Sequence, residues 1–174
     1  MKSPIRPTDA AARQQAKGLL ENAQHAALAV MAVDDTHPTM SRIALTCTPN
    51  GYPMSLVSEL SQHTVALAQN PACALLLGDP GTKGDPLTHA RLSLQCNAVF
   101  IARNSPGFKT LLAQYLVQIP KAKLYANFTD FLIVRFEIRA GFLNAGFGKA
   151  YQLTAADLGT QNKNGLAQKD EPKT

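Results

Sequence analysis

Residues 39–58 read as a β-hairpin, and that constrains the fold more than anything else in the chain. The run TMSRIALTCT, residues 39–48, alternates from side to side. Met40, Arg42, Ala44, Thr46 and Thr48 fall on one face, and Ser41, Ile43, Leu45 and Cys47 on the other. Pro49-Asn50-Gly51 follows, and its Asn-Gly pair supplies the positive backbone angles that a tight antiparallel turn needs. Residues 52–58 then form the returning strand. A period of two held over ten residues and closed by such a turn does not suit a helix.

The same pattern recurs along the chain. Residues 26–33, AALAVMAV, and 72–77, ACALLL, are short apolar strands, and 34–38 is a turn cluster. Residues 91–102 form a long strand, with Leu92, Leu94 and Cys96 facing one way and Arg91, Ser93, Gln95 and Asn97 the other. Residues 131–138 form another, carrying Arg135 and Glu137 on its polar face. Three short helices complete the reading. The first runs from Ala10 to about Asn22, with Thr8 as N-cap and Asp9 facing the positive end of the helix dipole. The second covers 62–69 behind Ser61 and is ended by Asn70-Pro71. The third opens at Ser105-Pro106 and carries Phe108, Leu111, Leu112, Tyr115 and Leu116. Residues 78–86, with three Gly and two Pro, form a loop, and 141–151 is glycine-rich and extended. The expectation is a mainly β domain over residues 1–158, a six-stranded antiparallel barrel with helices at its ends, and a mobile polar tail over 159–174.

Composition narrows the function classes. At 174 residues, with 45% apolar and 17% charged residues, the chain is one globular domain with a sizeable core. A net charge of +5 suits an anionic small ligand and equally an ordinary surface. No run of Lys and Arg interleaves with aromatic residues, so nucleic acid is not an expected partner. No apolar stretch approaches the ~18 residues of a membrane span. The first fifteen residues lack the apolar core of a signal peptide, so the expected location is the cytoplasm. Cys47, Cys73 and Cys96 are odd in number, unevenly spaced and set in apolar or alternating segments. They read as buried free thiols, with neither a disulfide framework nor a metal site.

Six segments, in their order and spacing, resemble the FMN-binding split-barrel family related to pyridoxamine 5′-phosphate oxidase, and within it the branch of haem-iron utilisation proteins. They are SRIAL (41–45), SLVSELSQHT (55–64), NPACALLL (70–77), GDPLTHARLSLQ (84–95), PKAKLYANFTDFLIVRFEI (120–138) and GFGKAY (146–151). The resemblance implies a split barrel that works as a homodimer, with two equivalent ligand sites at the interface. It implies FMN as cofactor and a flavoprotein oxidoreductase as the activity, with haem binding or haem degradation for iron utilisation, or a non-catalytic flavin-binding module, as alternatives. By the same resemblance Arg42 grips the flavin phosphate, a task its planar fork suits. Ser41 adds a hydroxyl, and Ser58, His63 and Thr64 lie about the phosphate near the second helix. Arg91 and Gln95 lie by the ring, and Phe147 and Lys149 close the site from the partner subunit. No metal site and no protein-borne acid–base pair stands out, so any catalysis rests on the cofactor. The chain has no Trp, and its last Arg is Arg139, so pyridoxamine phosphate itself is not the expected substrate. No His follows His89, so a C-terminal axial ligand for haem is not expected either.

Overall fold

The computed structural model describes residues 5–160. The expected tail falls almost wholly outside these residues. Of its first two members, Gly159 is exposed and Thr160 is buried, where the Thr160 hydroxyl donates to the Ala155 carbonyl at 2.8 Å.

The helices form where side-chain spacing and end groups agree. α1 (Ala10–Glu21) buries Ala12, Ala16 and Leu20, residues four apart on one face. Its N-cap is Asp9, one residue later than expected. The Asp9 carboxylate accepts from the Ala12 amide at 2.8 Å and satisfies a donor the helix cannot. α2 (Gln62–Gln69) begins after Ser61, whose side chain makes no capping bond. α3 (Phe108–Gln118) starts later than Ser105-Pro106 suggests, because the Ser105 hydroxyl turns back to the Ala102 carbonyl at 2.7 Å. No helix among the described residues is long and apolar enough to cross a membrane.

Among the described residues all strands join one sheet, and there are nine of them, not six. They are β1 (Ile5–Arg6), β2 (His25–Met31), β3 (Pro38–Ala44), β4 (Thr46–Cys47), β5 (Pro53–Ser58), β6 (Ala72–Leu77), β7 (Arg91–Ile101), β8 (Phe131–Asn144) and β9 (Ala150–Leu153). The main path is β1-β9-β8-β7-β6-β2-β3, with β5 on β8 and β4 on β5. Every pairing is antiparallel except β1 with β9, so the sheet is mixed.

Three differences from the expected strands have local causes. The run 39–48 breaks at Leu45, whose amide leaves the ladder to bond the Gln24 carbonyl at 2.9 Å. β3 therefore pairs with β2 while β4 pairs with β5, and the corner carries the chain from one edge of the sheet toward the other. β3 lies beside β5 without a ladder, and the Ser55 hydroxyl spans the seam to the Ala44 carbonyl at 2.7 Å. The barrel is split there, not closed. β8 continues past Ile138 to Asn144 because a bulge opposite Gln95 and Cys96 admits Arg139 as the extra residue. The glycine-rich stretch then turns into β9. The hairpin at Pro49-Asn50-Gly51 forms as expected, with Gly51 at φ +80° and its amide bonded to the Thr48 carbonyl at 2.9 Å.

Two apolar clusters pack the described residues. The larger lies inside the barrel and includes Leu28, Leu75, Leu94, Val134 and Phe136, with α1 and α2 as lids. The smaller lies outside the sheet, where α3 covers Met54, Leu56 and Ile133 with Phe108 and Tyr115. β5 and the start of β8 are therefore buried on both faces, which accounts for the apolar run FLIV that opens β8.

Candidate functional site

The outer face of β3, β2, β6 and β7 is not covered by α3. The side-chain row Arg42–Ala27–Leu76–Ser93–Phe142 crosses it, set by the pairing register. Met31 and Met40 stand on the same face, and Met40, Leu76 and Phe142 are 63%, 43% and 36% exposed. At one end of this face, between α1, the start of β2 and the loop after β6, lies a cavity of about 690 Å³. That volume is ordinary for a small-molecule site. Ala27, Leu19 and Leu76 give it an apolar lining, and Gln15, Asn22 and Gln24 add neutral amides. Its charged or titratable groups are Arg42, His25 and Asp79.

Arg42 makes no hydrogen bond or ion pair with any other described residue. His25 places Nε2 at 2.9 Å from an Asp79 carboxylate oxygen. An unpaired guanidinium beside apolar walls can receive an anionic group on an otherwise apolar ligand.

The other expected residues scatter. Ser41 points to the inner face of β3, opposite Arg42, as the alternation requires. Its Oγ lies 3.2 Å from His63 Nδ1 on α2. Burial lowers the His63 pKa and so favours the neutral imidazole. Thr64 beside it is buried, with its hydroxyl unpartnered among the described residues. Ser41, His63 and Thr64 thus gather at α2, on the side of β3 away from Arg42. Ser58 is occupied: its hydroxyl donates to Asp130 at 2.5 Å and accepts from the Leu60 amide at 3.1 Å. Arg91 donates to the carbonyls of Leu87 at 2.9 Å and His89 at 3.3 Å, which ties down the loop before β7. Gln95 lies exposed on the outer face of β7. Phe147 and Lys149 stand in the β8–β9 turn, with Phe147 94% exposed. That turn abuts the loop before β7, since a Cβ on Gly146 would meet the Thr88 carbonyl at 3.2 Å.

His25 and Asp79 were not singled out in the sequence. They are far apart along the chain, in no motif, and only the β2–β6 pairing brings them together. Among the other histidines, His89 is a loop staple. Its Nδ1 accepts from the Gly81 amide at 3.1 Å, and its Nε2 lies 2.9 Å from the Lys83 carbonyl. His37 sits in an exposed turn against Asp35. The cysteines are free, and burial pushes the Cys47 thiol up to about 11 and the Cys73 thiol to about 12, with Cys96 raised further still. They are packing residues without thiolate character.

Comparison with known proteins agrees with this architecture. No family model matches the chain. A non-canonical heme oxygenase, HOZ, of Arabidopsis thaliana is 30% identical over 116 residues, 66% of this chain. The chain spans 34% of that relative's length. One solved structure is 40% identical with a TM-score of 0.79, covering 88% of this chain and 99% of its own. A heme binding protein from Mycobacterium smegmatis is 22% identical with a TM-score of 0.76, covering 89% of this chain and 61% of its own. The fold is shared more widely. A protein of the pyridoxinephosphate oxidase family from Clostridium acetobutylicum, 10% identical, superimposes with a TM-score of 0.65 over 87% of this chain and 99% of its own. By strand order and these likenesses, the chain has the split-barrel fold shared by proteins related to pyridoxamine 5′-phosphate oxidase, and its sequence is similar to part of a heme oxygenase.

Proposed function

We propose that this protein binds a planar, anionic cofactor on the outer sheet face as a cytoplasmic homodimer, and that the cofactor is haem. The observation that carries the reading is Arg42, unpaired in a cavity of about 690 Å³ with Ala27 and Leu76 in its lining. A tetrapyrrole asks for an apolar surface under its ring and a cation at its carboxylates, and this cavity offers both. The relatives that bear on the choice are a heme oxygenase and a heme binding protein. A second copy would cover Met40, Leu76 and Phe142, which one chain alone leaves in water. Bound haem would supply the iron chemistry, while this chain holds the carboxylates and excludes water from the ring.

FMN is the second reading, with the flavoprotein oxidoreductase activity expected from the sequence. It is favoured by Arg42 itself, the residue at the family's phosphate position. His63 and Thr64 support it less, because they open to the other side of β3. A flavin held without turnover is the non-catalytic form of the same reading.

The deciding experiment is the visible absorption spectrum of the purified protein, before and after FMN and then haem. The expected result is a Soret band that survives gel filtration and is lost in Arg42→Ala. A retained flavin band would move the assignment to FMN. Full haem occupancy in Arg42→Ala would sink the anchoring role of Arg42.

A further inference from the structure

His25 lines the same cavity as Arg42, and its geometry points to a second role in binding. It opens β2 opposite Ala44, two residues from Ala27, whose cross-strand partner is Arg42. His25 and Arg42 thus project from one face in diagonal positions, within mutual reach for long side chains. Among the described residues Asp79 is the only acid in the cavity wall, and it sits on His25 and not on Arg42. Its position is fixed by the backbone. Gly78 before it has φ +92°, and a Cβ there would meet the Ala90 carbonyl at 2.5 Å, so the loop passes close against β7 at this point. The contact itself is open to water, with the His25 side chain 43% and that of Asp79 72% exposed. A pair this exposed is weak and exchanges readily.

Resting on the reading that this cavity takes an anionic cofactor, we infer that His25 is a second anion contact beside Arg42. Asp79 is its internal stand-in, displaced when a carboxylate or phosphate of the ligand arrives. The empty protein keeps His25 aimed into the cavity by offering it a carboxylate of its own. The ligand then exchanges one charge-assisted hydrogen bond for another and gains the contact with Arg42. His25 is the histidine suited to this, since the ring nitrogens of His89 are both engaged and His63 is turned toward Ser41.

The test is to titrate haem, haem dimethyl ester, FMN and riboflavin into the full-length protein and into His25→Ala, Asp79→Asn and the double variant. Both substituted side chains are exposed enough for the fold to tolerate the change. Asp79→Asn is expected to tighten the charged ligand about three- to tenfold, because the competitor is gone. His25→Ala is expected to weaken it about tenfold, and the double variant to match His25→Ala. The uncharged ester and riboflavin should respond to neither change. A gain confined to haem assigns the contact to a propionate, and a gain confined to FMN assigns it to a phosphate. Weaker binding in Asp79→Asn would overturn the proposal, since Asp79 would then orient His25 and not compete for it. So would a His25→Ala effect that moves the Soret band and is shared by the ester, which would place His25 on the iron. Binding of neither haem nor FMN by the unaltered protein would instead remove the reading on which the inference rests.

Discussion

One sheet, two outer faces: at the β5–β8 end the outside of the barrel is roofed by α3, while at the β3–β2–β6–β7 end it is bare. Under the roof, Ile133 and Met54 are fully buried and Tyr115 packs across them. On the bare side, Met40 and Leu76 stand in water among small residues such as Ala27, Ala29 and Ala74. Both surfaces are apolar, but only one is satisfied within the chain. Apolar area left open by the fold is where a partner or a flat ligand gains most, because its burial has not already been used for folding. The roofed face serves stability, and in the proposed reading the open face serves recognition.

That contrast predicts different outcomes for similar substitutions. Ile133→Ala, beneath α3, should lower unfolding free energy by about 2–5 kcal/mol in a urea titration. A loss under about 1 kcal/mol would mean that the α3 roof adds little to the fold. Leu76→Asp, on the bare face, should leave unfolding within about 0.5 kcal/mol if measured on the monomer. It should weaken self-association by more than about 2 kcal/mol, read by sedimentation or light scattering across concentration. A protein that elutes as the same dimer would refute the second copy on this face. Arg42→Ala should reduce affinity for the anionic cofactor by about 1.5–3 kcal/mol with no change in melting temperature.

The smallest effect belongs to the clasp that holds α1. Arg13 bonds Asp157 at 2.6 Å and, with the Thr154 amide and hydroxyl, lowers the Asp157 pKa to about 2 from 3.8. Because the folded value is the lower one, the clasp stabilises above pH ~4, and its contribution drains away as pH falls toward about 2. Arg13 is 44% exposed, so solvent screening keeps this contribution below about 1 kcal/mol. Arg13→Gln should melt earlier than the parent at pH 6 and together with it at pH 2. An equal gap at both values would refute the ionic origin.

How much of this was legible in the chain varies by residue. The alternation at 39–44 correctly put Ser41 and Arg42 on opposite faces, and so already separated two residues that the family resemblance assigns to one phosphate. The Asn-Gly turn and the strict pattern of Leu92, Leu94 and Cys96 likewise read through to the structure. The break at Leu45 did not, because Leu45 is unexceptional in its own segment and is turned by a carbonyl from Gln24. Nor did Ser58 or Arg91. Each looked available as a ligand group until the fold supplied Asp130 to one and a pair of carbonyls to the other.

The sequence by itself determined the strand and helix types, the hairpin and the inward and outward sides of most strands. These follow from steric periods of two and 3.6 and from turn residues, all set within a few neighbours. Only the tertiary structure decided which apolar face α3 would cover, that the barrel would split between β3 and β5, and that Asp79 would meet His25 beside a free Arg42. Those outcomes depend on pairings between distant segments, where register and burial are properties of the assembled sheet and not of any one strand.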